Sequence, residues 1–61
     1  MEQYEKLKQL VEEVAEDVYK AIGGNKAAGT RVRKAMQEIK NTAQEVRKQV
    51  LDIRVTEENQ S

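Results

Sequence analysis

Apolar residues recur through the first third of the chain at alternating spacings of three and four: Tyr4, Leu7, Val11, Val14, Val18 and Ala21. That is one helical face repeated as a heptad seam. Leu10, Ala15 and Ile22 widen the face enough for more than one partner helix. Gly23-Gly24 ends the pattern, because Gly takes the left-handed conformation at a helix C-terminus without a Cβ clash. Asn25 is a good N-cap for a second helix. The seam of that helix reads Val32, Met36, Ile39, Ala43, Val46, Val50 and Ile53, spaced by four and three. Gly29 weakens its early turns by about 1 kcal/mol relative to Ala.

The spacing predicts helix 1 over about 3–22, a hinge at 23–25, helix 2 over about 26–54 and a frayed acidic tail at 55–61. A connection this short makes the helices antiparallel neighbours. The expected fold is all-α, a single antiparallel helical hairpin spanning 1–61. Helix 2 is the longer by roughly two turns, which leaves Val50 and Ile53 uncovered within the hairpin.

Size and composition add the next expectation. A 61-residue chain builds one small core, which rarely supplies more than about 3–5 kcal/mol. With no Cys and no His, it has neither disulfides nor zinc-type sites to add to that. Self-association is the remedy left. Two hairpins are expected to form a homodimeric four-helix bundle, or a higher homo-oligomer, through Val32, Met36, Ile39, Ala43, Val46, Val50 and Ile53.

Net charge is zero, with 11 Lys+Arg and 11 Asp+Glu, but the charge is divided. Residues 1–22 carry −3, residues 23–54 carry +5, and the tail carries −2. Such asymmetry points to a polyanion partner or to two halves that attract each other. From Lys26 a cation returns every seventh residue, at Arg33, Lys40, Arg47 and Arg54, forming one slowly spiralling stripe. With Met36, Ala43 and Val50 at heptad position a, the stripe from Arg33 onward falls at e, where interhelical salt bridges are common. Helix 1 offers few acids to answer it: its e positions are Lys8, Ala15 and Ile22, its g positions Gln3, Leu10 and Asp17.

Arg31, Lys34 and Lys48 add further cations around the stripe. Positive charge near a helix N-terminus costs about 0.3–1 kcal/mol per residue, and a bound phosphate reverses that sign. The reading favoured is therefore DNA binding through Lys26, Arg31, Arg33, Lys34, Lys40, Arg47, Lys48 and Arg54. Phe and Trp are absent, Tyr4 belongs to the seam and Tyr19 lies near the hinge, so base stacking is not expected. Contacts to phosphate are sequence-independent and salt-sensitive. RNA offers the same phosphates, and a protein scaffold pairing the stripe with acidic helices is the alternative reading. In the DNA reading, two hinges at opposite poles of an antiparallel dimer would bridge two duplexes.

Other chemistry is excluded more quickly. No His or Cys is present and the one Ser is Ser61, so the usual nucleophile–base pairs are missing and no enzyme is expected. Gly24-Asn25-Lys26-Ala27-Ala28-Gly29-Thr30-Arg31 resembles a phosphate-binding loop only superficially: the Lys that should follow the second Gly is absent, and no strand precedes it. Glu12, Glu13, Glu16 and Asp17 form an acidic cluster with too few oxygen ligands for a hard cation, so no metal and no cofactor are expected. No stretch approaches the ~20 apolar residues of a membrane span. The polar N-terminus is unlike a secretory signal, so a cytoplasmic protein is expected.

The segment Gly24-Asn25-Lys26-Ala27-Ala28-Gly29-Thr30-Arg31-Val32-Arg33-Lys34 resembles the signature of the bacterial linker-histone-like proteins, the chlamydial histone-like family and its short relatives. A looser match through Ala35, Ile39 and Val46-Arg47-Lys48 extends the resemblance to roughly half the chain. The resemblance implies a nucleoid-associated, DNA-compacting protein without enzymatic activity. Its basic residues correspond to Lys26, Arg31, Arg33 and Lys34, and to Arg47 and Lys48. The chlamydial members carry a long Lys/Ala-rich tail, whereas this sequence ends Glu57-Glu58-Asn59-Gln60-Ser61.

Overall fold

The computed structural model describes the backbone of residues 1–60 and the side chains of residues 1–53. Two helices, α1 (Glu2–Ile22) and α2 (Lys26–Gln60), pack as an antiparallel hairpin about 54 Å long and 14 Å across. Glu2 and Glu5 complement the dipole of the first turn of α1. The backbone of α2 continues past the expected end at 54, with neither Gly nor Pro to interrupt it. Arg54 and the tail beyond it lie outside the described side chains.

The hinge residues do what their types dictate. Gly24 has φ +102°, a left-handed conformation. Its N–H donates to the Ala21 carbonyl at 3.0 Å, and the Asn25 N–H donates to the Lys20 carbonyl at 3.0 Å. These are the two bonds of a Schellman closure, which satisfy carbonyls that the end of α1 would otherwise leave open. Asn25 then starts α2: its Oδ1 accepts from the Ala28 N–H at 3.0 Å. One residue therefore closes α1 with its backbone and opens α2 with its side chain.

The seam between the helices is shifted from the expected one. In α1 it is built from Gln3, Leu7, Leu10, Val14, Asp17, Val18 and Ala21, with Val14 buried and the others half-buried. In α2 it is built from Ala28, Val32, Ala35, Ile39, Thr42, Val46 and Gln49, with Ala28 and Thr42 buried. Ala28, Ala35 and Thr42 stand seven apart, and these small side chains let α1 approach closely. Bulkier Met36 and Val50 are left on the outside.

The expected oligomer interface is thus divided. Val32, Ile39 and Val46 are half-buried against α1 of the same chain, while Met36, Ala43, Val50 and Ile53 are exposed. Tyr4 and Val11, expected in the α1 seam, are also exposed. Among the described residues no large side chain is fully buried. The radius of gyration is 15.8 Å, against about 10–11 Å for a compact chain of this length. At the open end, Gln49 Nε2 donates to Gln3 Oε1 at 3.0 Å, tying α2 to the first turn of α1. Val50, Leu51 and Ile53 lie at or past that level, each more than half exposed, as expected for an overhang.

Candidate nucleic-acid interface

The hinge and the first two turns of α2 enclose a shallow open depression lined by Ala21, Gly24, Asn25, Lys26, Gly29, Thr30 and Arg33. Gly29 leaves its floor open: a Cβ there would meet nothing within 4 Å. Lys26 and Arg33 stand two turns apart, about 10 Å along the axis, and both belong to this depression. The Thr30 hydroxyl donates back to the Lys26 carbonyl at 3.3 Å. Lys34, next to Arg33 in the chain, is exposed.

Arg31 is set apart from these cations. Its Nε donates to Asp17 Oδ2 at 3.1 Å and its Nη2 to Asp17 Oδ1 at 2.9 Å, a bidentate pair across the hairpin. The hydrogen bonds from Arg31 hold the Asp17 carboxyl below its ordinary pKa, and the same bonds raise that of Arg31. Asp17 is the g-position acid that the heptad pattern placed beside the seam. It takes Arg31 and leaves the seven-residue stripe alone.

Lys26, Arg33, Lys34, Lys40, Arg47 and Lys48 are exposed and form no ion pair among the described residues. Helical periodicity puts Lys26, Arg33, Lys40 and Arg47 on one edge of α2, beside the exposed Met36, Ala43 and Val50. Arg31 lies on the opposite flank of the hairpin. The helix dipole bears on fewer of these cations than the sequence suggests. With α2 starting at Lys26, only that cation stands in the first turn, and Arg31, Arg33 and Lys34 lie beyond the reach of the dipole.

Three of the four acids of the cluster form bonds. Glu16 pairs with Lys20 at 3.6 Å, Glu13 accepts from Gln9 at 3.0 Å, and Asp17 holds Arg31. Asn25, Gly29 and Thr30 contribute to the depression although charge alone did not single them out as contacts; the capping role of Asn25 was the signal that pointed there. Among the described residues no helix is long and apolar enough to cross a membrane.

One protein-family model, described as histone H1-like protein Hc1, matches residues 1–56. No curated protein and no solved structure matches the chain.

Proposed function

Because the chain belongs to the Hc1 family of histone H1-like proteins, and is on that ground a DNA-binding nucleoid protein, we propose that it grips the duplex backbone through its hinge. Lys26 and Arg33, which line the depression that Gly24, Asn25, Gly29 and Thr30 open at the start of α2, are the primary contacts together with the exposed Lys34 next to Arg33 in the chain. Lys40, Arg47 and Lys48 lengthen the positive surface along α2. The observation that carries this reading is the contrast in pairing. These cations have no acidic partner among the described residues, whereas Arg31 is held by Asp17 and serves the hairpin.

Contacts of this kind address phosphate and carry no base code, so binding is indifferent to sequence. A self-associated protein presents more than one hinge and compacts DNA without enzymatic chemistry. Three neutralised phosphates per hinge give a log K against log salt slope near −2.7, and about −5.4 if two hinges hold one duplex. Titrating two duplexes of unrelated sequence at several salt concentrations tests the proposal. Equal affinities and a steep slope are expected; a flat salt response, or strong preference for one sequence, would overturn it.

A further inference from the structure

Thr30 and Thr42 are the threonines among the described side chains, and the fold treats them oppositely. Thr42 is buried in the seam at 5% exposure, whereas Thr30 is exposed and lines the depression at the hinge. The Thr30 hydroxyl donates to the Lys26 carbonyl, one turn back along α2. Lys26 stands four residues before it, Arg33 three after and Lys34 four after, the spacings at which side chains on a helix become neighbours. The three cations assigned to the duplex backbone thus surround one accessible hydroxyl. Arg31, the next residue in the chain, is held on the other flank by Asp17.

We infer that Thr30 is a phosphorylation site, and that its phosphate releases DNA by occupying the hinge cations from within the chain. The Thr30 oxygen attacks the γ-phosphorus of a nucleoside triphosphate held by a protein kinase. An O–P bond forms, the bond to the departing nucleoside diphosphate breaks, and the hydroxyl proton passes to a base of the kinase. A phosphatase reverses the mark by hydrolysis to threonine and inorganic phosphate.

A phosphothreonine carries about −1.5 to −2 charges at pH 7 and three strong acceptor oxygens. On Thr30 that charge is tethered beside Lys26, Arg33 and Lys34, so a duplex phosphate has to displace it. The same neighbours define the enzyme. Lys26, Arg31, Arg33 and Lys34 fit a kinase whose substrate groove is acidic, while Thr56 is followed by Glu57 and Glu58 and does not. Kinases take their substrates extended, and the start of α2 is suited to local opening. Gly29 adjoins Thr30, and unwinding residues 26–30 gives up the Asn25 cap and the burial of Ala28 while the seam from Val32 onward stays packed.

The consequence for DNA rests on the proposed hinge contact, and the test keeps the two apart. A chain of 61 residues can be made by chemical synthesis with phosphothreonine at position 30. The charge-matched control is Gln9→phosphothreonine, exposed on α1 and about 20 Å along the axis from the hinge. In duplex titrations around physiological salt, the phosphate on Thr30 is expected to lower affinity at least about ten-fold and to shrink the salt slope per hinge from about −2.7 to about −0.9. The control should stay within about two-fold of the unmodified chain, because its charge lies beyond the screening length. Equal affinity with and without the phosphate on Thr30, or equal losses in both phosphorylated chains, overturns the inference and leaves the DNA reading standing. Failure of the unmodified chain to bind would instead defeat the hinge reading, and the release mechanism with it.

Two further arms need no DNA. In a phosphorus NMR titration the phosphate on Thr30 should lose its last proton below about pH 6 and below the control, as nearby cations favour the dianion. Equal values in the two chains overturn the intramolecular pairing. Treating the unmodified folded chain with ATP and a kinase selective for basic flanks should place phosphate on Thr30 and not on Thr42, read by mass mapping. No incorporation at Thr30 overturns its role as acceptor.

Discussion

The two flanks of α2 carry cations of the same kind in opposite circumstances. On one flank Arg31 spends its guanidinium on Asp17, in a bidentate pair that ties the helices of one hairpin together. On the other, Lys26, Arg33, Lys40 and Arg47 meet no acid of their own chain among the described residues and border an open apolar face. Charge density alone would rank Arg31 beside Arg33, since they stand two residues apart. What separates them is the partner the fold gives each. A cation answered within the chain holds the fold, and a row left unanswered is available to phosphate or to a second chain.

The contrast between the flanks is most exposed to challenge at the hinge. Reversing charge at Lys26, Arg33 and Lys34 together is expected to abolish duplex binding at moderate salt and flatten the salt slope by about 2.7 per hinge. Circular dichroism should show the helices intact, because none of the three side chains ties α1 to α2 among the described residues.

Substitutions in the hinge backbone come next in size. Gly24→Ala places a Cβ on a residue at φ +102° and is expected to destabilise the hairpin by about 1–2 kcal/mol in urea denaturation. Gly23→Ala, at φ −75° with only carbonyl oxygens at 3.5 and 3.6 Å, should stay within about 0.5 kcal/mol of wild type. Asn25→Ala removes the cap on the Ala28 N–H and should cost about 1 kcal/mol.

The smallest effect lies on the Arg31 flank. The pKa of Asp17 is lowered in the folded protein, so the unfolded chain binds its proton first as pH falls. The pair therefore contributes fully at neutral pH, and its contribution is lost as pH drops below about 4. A thermal-melt series from pH 7 to pH 2.5 should show that decline in wild type and a shallower one in Asp17→Asn.

The hairpin itself was legible in the sequence. Gly23, Gly24 and Asn25 marked the hinge through turn and cap chemistry, and that chemistry is local. The seam was not legible in the same way. Two apolar stripes overlap in α2, sharing Val32, Ile39 and Val46, and the spacing by four and three chose Met36, Ala43, Val50 and Ile53 as their companions. The fold instead uses Ala28, Ala35 and Thr42, whose small side chains permit close approach and carry little weight in a hydrophobicity pattern, and Gln49, which bonds Gln3. The division of the cations followed from this shift. Once α1 sits on the other stripe, Asp17 comes within reach of Arg31, and the exposed apolar face comes to lie beside Arg33.

If pairing and not charge decides which cation binds DNA, Arg31→Ala and Arg33→Ala must part company when compared side by side. Duplex affinity at low salt would be measured with helicity checked in parallel. Arg33→Ala should weaken binding roughly ten-fold, while Arg31→Ala changes affinity little and lowers thermal stability slightly. Equal losses of affinity in the two variants, or a larger loss in Arg31→Ala with the fold intact, would contradict that rule.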